Sequence, residues 1–156
     1  MRMRMPKVPE ANEYLARKAA RLSRTYFAQR KKEQWLGLWS EKGSIQDPLG
    51  KSLFDPTGLG YNTPEEREKW WDDHCNQEFY YAMVASFAAG NQVANYETLI
   101  MVGREVDGIK HSFKVEGIWT YSVDEEGKLL TMYGYWEEEP AIESETPLHG
   151  HHFYVE

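Results

Sequence analysis

Cysteine and long apolar runs are almost missing from this chain of 156 residues. Cys75 is the only cysteine, which excludes an internal disulfide and is compatible with a reducing compartment. No run of about 15 apolar residues follows the basic start, Met1 to Lys7, so we expect neither a signal peptide nor a membrane span. These absences favour a cytoplasmic protein.

Positive charge is also scarce, with 18 Lys and Arg against 25 Asp and Glu and a formal net charge of −7. That balance argues against nucleic acid or an anionic membrane as the main partner. His74 and Cys75 lack the spacing of helical metal ligands and have no third ligand, so we expect no metal. The histidines of the C-terminal tail are assigned no function.

Aromatic residues, by contrast, make up 14% of the chain, with 6 Trp and 10 Tyr. So much ring area suggests a core with an aromatic-lined hollow, although a solid aromatic core is the alternative. The length fits one domain. We predict that it spans residues 11–140, between a flexible tail at 1–10 and a second tail at 141–156.

The first half of the domain has helical periodicity. A first helix over about 11–31 places one apolar stripe at Leu15, Ala19, Leu22 and Tyr26. A second, short helix carries Trp35, Leu38 and Trp39 on one face. A third begins at Thr63, with Pro64 at its first position and Glu66 completing a capping box.

The second half alternates like strands, over about 78–87, 93–102, 110–123 and 129–138, with turns between them. Helices followed by an antiparallel meander predict an α+β fold, with the helices on one face of a curved sheet. Gly117 and Gly134 fall in inward-facing rows, which indicates sheet bending or room for a ligand.

Asp47 lies where a short apolar strand runs into the turn Asp47-Pro48-Leu49-Gly50. Pro48 biases the residue before it toward an extended conformation, so Asp47 still belongs to the strand when the turn begins. A carboxylate in this position is either a turn-former or a general base in a dry pocket. The local sequence leaves both interpretations open.

The order of elements, and Leu38-Trp39 followed by Asp47-Pro48-Leu49-Gly50, resemble the nuclear transport factor 2-like superfamily. That superfamily includes ketosteroid isomerases and SnoaL-like polyketide cyclases, and the resemblance covers most of residues 12–138. It implies a cone-shaped fold and a homodimer. It also implies that Asp47 is the catalytic base and that Tyr26 donates a hydrogen bond to the oxyanion.

Two positions depart from that family. Trp119 stands where a ketosteroid isomerase has its second donor, a neutral aspartic acid, and Trp70 stands where it has a supporting tyrosine. We expect Trp119, Trp39, Trp70 and Trp136 to line the pocket, although helix-spaced aromatics are usually core. His111 alternates onto the face of Trp119 and is a further candidate pocket residue, or else a satisfied histidine.

The resemblance implies a cofactor-independent isomerase or cyclase that moves a proton α to a carbonyl of an apolar cyclic or polyketide-like substrate. The alternative interpretation of Tyr26 is that it is a core residue of the first helix. One alternative function is a non-catalytic module that holds a small apolar molecule. Another is a dehydratase or epoxide-hydrolase relative, which needs a second polar group, for which His111 is the candidate.

Overall fold

The computed structural model describes residues 14–75 and 77–148. The predicted tail at 1–10 and residues 149–156 lie outside the described residues. Within the described residues the helices are α1 Leu15–Ala28, α2 Lys32–Leu36, α3 Pro64–His74 and α4 Glu138–Glu143. The strands described there are β1 Trp39–Gln46, β2 Glu78–Ala89, β3 Gln92–Val106, β4 Ile109–Val123, β5 Leu129–Tyr135 and β6 Thr146–Pro147.

The buried face of α1 differs from the predicted stripe by a rotation of about one residue. Leu15 is 48% exposed and Tyr26 is only half-buried. The residues that face the sheet are Ala16, Ala19, Ala20, Ser23, Arg24 and Phe27. Because Ser23 and Arg24 are polar, a pattern of apolar residues does not reveal that they lie on the inner face.

The apolar spacing predicted that Trp39 belongs to the second helix. That prediction is wrong, because Trp39 begins strand β1. Helix α2 ends before Gly37, which caps it, and Trp39 then pairs with Leu129 of β5. The predicted start of α3 is confirmed, because the Thr63 hydroxyl accepts the Glu66 backbone N–H at 3.1 Å.

The sheet has the strand order β1-β5-β4-β3-β2 and is antiparallel, except that β1 runs parallel to β5. It is curved and open, and the helices preceding it cover one face. The predicted α+β class, with helices packed on a curved antiparallel sheet, is therefore confirmed.

The segment after β5 continues to contact the sheet. Helix α4 buries Ala141, and Thr146 and Pro147 form β6 beside Ser112 and His111 of β4. Part of the segment predicted as a tail is thus paired to the sheet. Within the described ranges, none of the helices is both long and apolar enough to cross a membrane.

Candidate functional site

Asp47 follows the last residue of β1 and is half-buried. The turn beyond it is held by other groups. The Leu49 N–H donates to the Gly134 carbonyl at 2.8 Å, and the Gly50 N–H donates to Gln46 Oε1 at 3.1 Å. The Asp47 carboxylate is therefore not used to cap its own turn.

Two indole groups bind this carboxylate instead. Trp119 Nε1–H donates to Asp47 Oδ1 at 3.0 Å, and Trp136 Nε1–H donates to the same oxygen at 2.6 Å. Hydrogen bonds to a carboxylate are shorter and stronger than those between neutral groups, so the two indoles hold Asp47 firmly in position. Oδ2 of Asp47 has no hydrogen-bond partner among the residues described and is available to a proton.

The glycines of the inward rows make this approach possible. A Cβ added at Gly134 would collide with Asp47 Oδ1 and would lie 2.9 Å from Trp119 Nε1. A Cβ added at Gly117 would lie 2.8 Å from the Cβ of Trp136. The absence of side chains at these positions lets Asp47 and Trp136 come close to the sheet.

A buried ion pair lies behind Trp119. Arg24 Nε of α1 donates to Glu97 Oε2 of β3 at 2.9 Å, and both side chains are almost completely inaccessible. The Arg24 guanidinium carbon is 5.1 Å from the Trp119 ring centroid and 5.7 Å from that of Phe79. Burial alone would lower the pKa of Arg24, but Tyr121, Glu97 and Asp47 together raise it.

Tyr121 lies two residues beyond Trp119 on the same face of β4 and is fully buried. Its hydroxyl has no hydrogen-bond partner in the described part of the chain. Burial raises the pKa of Tyr121, and Glu97 and Asp47 add to this effect, while Arg24 opposes it. The hydroxyl is therefore a protonated donor at neutral pH.

Four of the residues near Asp47 were not predicted as site residues from the sequence: Arg24, Glu97, Asn95 and Tyr121. The sequence of β3 does contain a pattern that could have identified Asn95 and Glu97. Together with Val93 and Leu99, they alternate onto one buried face. Two polar residues within such a row indicate a functional or ion-paired interior. Arg24 carries no comparable signal, since an arginine beside an apolar stripe usually reaches solvent.

Trp39 and Trp70 lie among the helices rather than at Asp47. Both contact Trp35, with ring centroids 5.6 Å and 5.5 Å away, in a cluster that includes Phe27 and Trp71. Trp119 and Trp136 are thus the two predicted pocket tryptophans that the structure brings to Asp47.

Tyr26 and His111 are not among the hydrogen-bond partners of Asp47 in the part of the chain the structure describes. Tyr26 packs half-buried against the core, and within residues 14–75 and 77–148 its hydroxyl makes no hydrogen bond to Asp47. His111 is eight residues from Trp119 along β4, up to roughly 27 Å in an extended strand. There its Nδ1 lies 3.2 Å from Glu145 Oε1.

The loop from Gly50 to Asn62 lies over Trp136. Phe54 is 51% exposed, and its ring centroid is 6.1 Å from that of Trp136 and 5.9 Å from that of His74. The loop is tied down where the Leu53 N–H donates to Glu138 Oε2 at 3.0 Å. Phe54 thus covers Trp136, one of the two tryptophans that donate to Asp47.

A surface cavity of about 330 Å³ lies on the other side of Trp136, between α4 and the outward side chains of β4 and β5. Its lining is about equally polar and apolar, and the charged residues in it are Lys114, Glu116 and Glu137. For the residues the structure describes, no group of three or more His, Cys, Asp or Glu could hold a metal ion.

No protein-family model matches the sequence, and no curated protein matches it significantly. Solved structures do match. RV0760c from Mycobacterium tuberculosis is 25% identical with a TM-score of 0.74, over 87% of this chain and 98% of its own. Its complex with estradiol-17beta-hemisuccinate is 26% identical with a TM-score of 0.75, over 86% and 99%.

Two further structures show the same fold. The Δ5-3-ketosteroid isomerase from Mycobacterium sp. is 21% identical with a TM-score of 0.73, over 87% of this chain and all of its own. A computationally designed 17-OHP binder is 23% identical with a TM-score of 0.75, over 86% and 99%. Neighbours with less sequence identity include an epoxide hydrolase/cyclase-like enzyme of polyether formation. The predicted resemblance is therefore confirmed, and the chain has the nuclear transport factor 2-like fold.

Proposed function

We propose that this protein is a cofactor-independent enzyme of the ketosteroid isomerase type, with Asp47 as its general base. The observation that carries the proposal is the Asp47 carboxylate, held by two indole N–H groups through one oxygen while the other has no partner among the described residues. A base must be fixed in position and must also keep a free lone pair, and this arrangement meets both conditions.

The proposed substrate is an apolar cyclic or polyketide-like ketone. Asp47 Oδ2 takes a proton from the carbon α to the carbonyl, and the electrons of the C–H bond form the enolate. The same carboxyl group then returns the proton to another carbon of the conjugated system. The carboxylate is regenerated, so the proton transfer requires no other reactant. The complex of RV0760c with estradiol-17beta-hemisuccinate supports a ligand of steroid size.

The test is an assay with a β,γ-unsaturated cyclic ketone, followed by the absorbance of the conjugated product. Asp47→Asn retains an oxygen for the two indole donors but loses the base. We expect its rate to fall by roughly 10²–10⁴-fold. Asp124→Asn is the matched control, because Asp124 caps a distant turn through the Glu126 and Lys128 amides and should leave the rate unchanged. Equal turnover by wild type and Asp47→Asn, or none by either, would contradict the isomerase proposal for these substrates.

A binding module without catalysis is the second candidate, and the bound steroid derivative in RV0760c favours it. A comparison of wild type with Asp47→Asn distinguishes the enzyme from the binding module. If the wild type binds a steroid and turns over none of the ketones offered, and Asp47→Asn binds it equally well, the binding module is the better description.

We also propose that the protein is a cytoplasmic homodimer. Support for the dimer comes from the outer face of the sheet, where Tyr96, Ile118 and Tyr135 are cross-strand neighbours and the last two are 45% and 49% exposed. An apolar row of this kind is typical of a protein interface. Light scattering should give twice the chain mass for wild type and a lower mass for Ile118→Glu. A monomeric wild type would refute the dimer.

A further inference from the structure

Tyr121 combines complete burial with a hydroxyl that has no partner among the residues described. The strand register places it opposite Val93 of β3 and Met132 of β5, inside the sheet's concave face. Buried hydroxyl groups in native proteins almost always have a hydrogen-bond partner, because an unmade bond costs free energy. An unpaired hydroxyl in the interior therefore calls for an explanation.

The residues near Tyr121 carry unpaired polar atoms too. In the described part of the chain, Arg24 Nη2, Asn95 Oδ1 and Glu97 Oε1 are buried and lack hydrogen-bond partners. Arg24 and Glu97 are joined through their other atoms, and Asn95 and Glu97 share one face of β3. Trp119, two residues before Tyr121 on β4, links this group to the base, because its ring lies 5.1 Å from the Arg24 guanidinium carbon and its N–H donates to Asp47 Oδ1. Unpaired donors and acceptors are thus collected beside the candidate base.

The two indoles at Asp47 cannot supply a donor for a ligand. An indole has a single N–H, and Trp119 and Trp136 each use theirs on Asp47 Oδ1. Any oxygen of a ligand that reacts at Asp47 must receive its hydrogen bond from another group.

We infer that the Tyr121 hydroxyl binds the oxygen atom of the ligand, with Arg24 Nη2 as the second donor. The ligand class is an apolar ring system carrying a ketone or hydroxyl oxygen. An enol or hydroxyl oxygen also donates, so it can satisfy Glu97 Oε1 or Asn95 Oδ1 as well. The inference rests on the proposed function for the kind of ligand, and it assigns to Tyr121 the donor role that the resemblance gave to Tyr26.

This assignment has a consequence for access. Since the Tyr121 hydroxyl is sealed from solvent, a ligand reaches it only when side chains between it and Asp47 move apart. Trp119 is one of these neighbours, so ligand binding should shift the indole N–H resonance of Trp119.

The experiment compares Tyr121→Phe with the matched control Tyr80→Phe, using 2-naphthol as the probe. Tyr80 lies on β2, and its exposed hydroxyl donates to Glu78 Oε2 at 3.2 Å. Tyr121→Phe removes one oxygen that has no partner in the free protein, so its melting temperature should equal or exceed that of wild type. Its affinity for 2-naphthol should fall roughly 10-fold, and kcat with the ketone should fall by about 10²–10³-fold. Tyr80→Phe should bind and turn over as wild type does.

Several results would overturn the inference: unchanged 2-naphthol affinity in Tyr121→Phe, no binding of 2-naphthol by wild type, or weaker binding together with a lower melting temperature. The last result would mean that the hydroxyl is structural. Full activity in Asp47→Asn would refute the proposed function alone, because the 2-naphthol titration measures the role of Tyr121 without any turnover.

Discussion

Two regions of the interior each contain buried tryptophan, yet they are built differently. Between the helices and β1, Trp35 contacts Trp39, Trp70 and Trp71 through ring centroids 5.1–5.6 Å apart. On the concave face of the sheet, Trp119 instead lies between the Arg24 guanidinium and the Asp47 carboxylate. We call the first region the helix cluster and the second the sheet cluster.

The difference separates stability from function. The helix cluster gains its free energy from buried ring area and from ring–ring contacts. The sheet cluster holds charges that must be paired at a desolvation cost, which apolar residues of equal volume would avoid. A region that keeps charges at such a cost is where we expect chemistry.

The largest effect on folding should come from the helix cluster. Trp35→Ala removes the ring at its centre and the hydrogen bond from its indole to Ser23 Oγ at 3.1 Å. We expect a loss of roughly 3–5 kcal/mol in the free energy of unfolding, measured by urea denaturation. The kcat of the molecules that remain folded should be close to wild type. A large drop in kcat would show that the two regions are coupled.

Arg24→Met should be nearly as costly, since it leaves the Glu97 carboxylate buried without its partner. The expected loss is roughly 3–5 kcal/mol, and the double variant Arg24→Met/Glu97→Leu should recover most of it because no charge then remains unpaired. Lys69→Met removes the exposed ion pair with Asp73 and should change nothing measurable. A double variant as unstable as the single one would show that the charges themselves hold the sheet cluster together.

Much of the fold was predictable because its signals are local. The N-cap at Thr63, the turn between the second and third predicted strands, which falls at Asp107 and Gly108, and the alternation of β4 each depend on a few neighbouring residues, and the structure contains them all. The error at Trp39 has a local cause too. The apolar spacing continues across Gly37, whereas the helix ends there.

The candidate site was predictable only in part. Asp47 and Trp119 were selected through the resemblance, but their hydrogen bond joins residues 72 positions apart and depends on the angle of an indole. Arg24 and Tyr121 were not predicted as site residues, because a charged residue in a helix and a tyrosine in a strand are both common outside functional sites. Their burial follows only from the packing of α1 on the sheet.

Gly134→Ala tests how tightly the side chains of the sheet cluster are packed around Asp47. The added Cβ would collide with Asp47 Oδ1, so the carboxylate must move away from its two indole donors. We expect about 1–3 kcal/mol of destabilisation and a marked loss of kcat with the β,γ-unsaturated ketone. Gly37→Ala is the matched control, since Gly37 has helical backbone angles and an ordinary contact of 3.4 Å, and it should be neutral or slightly stabilising. Wild-type kcat in Gly134→Ala would mean that Asp47 does not need this position to work.

The smallest expected effect appears only at alkaline pH. Burial raises the pKa of Tyr121 above that of an unfolded tyrosine, about 10. The folded protein therefore holds the phenol proton more tightly than the unfolded chain, and this contribution to stability is complete below pH of about 10 and declines as the pH rises further. Melting temperatures across that range should fall more steeply for wild type than for Tyr121→Phe. If the melting temperatures of wild type and Tyr121→Phe fall in parallel with pH, the Tyr121 hydroxyl already has a hydrogen bond to water or to another group. The distinction between the sheet cluster and the helix cluster would then depend on the Arg24–Glu97 ion pair.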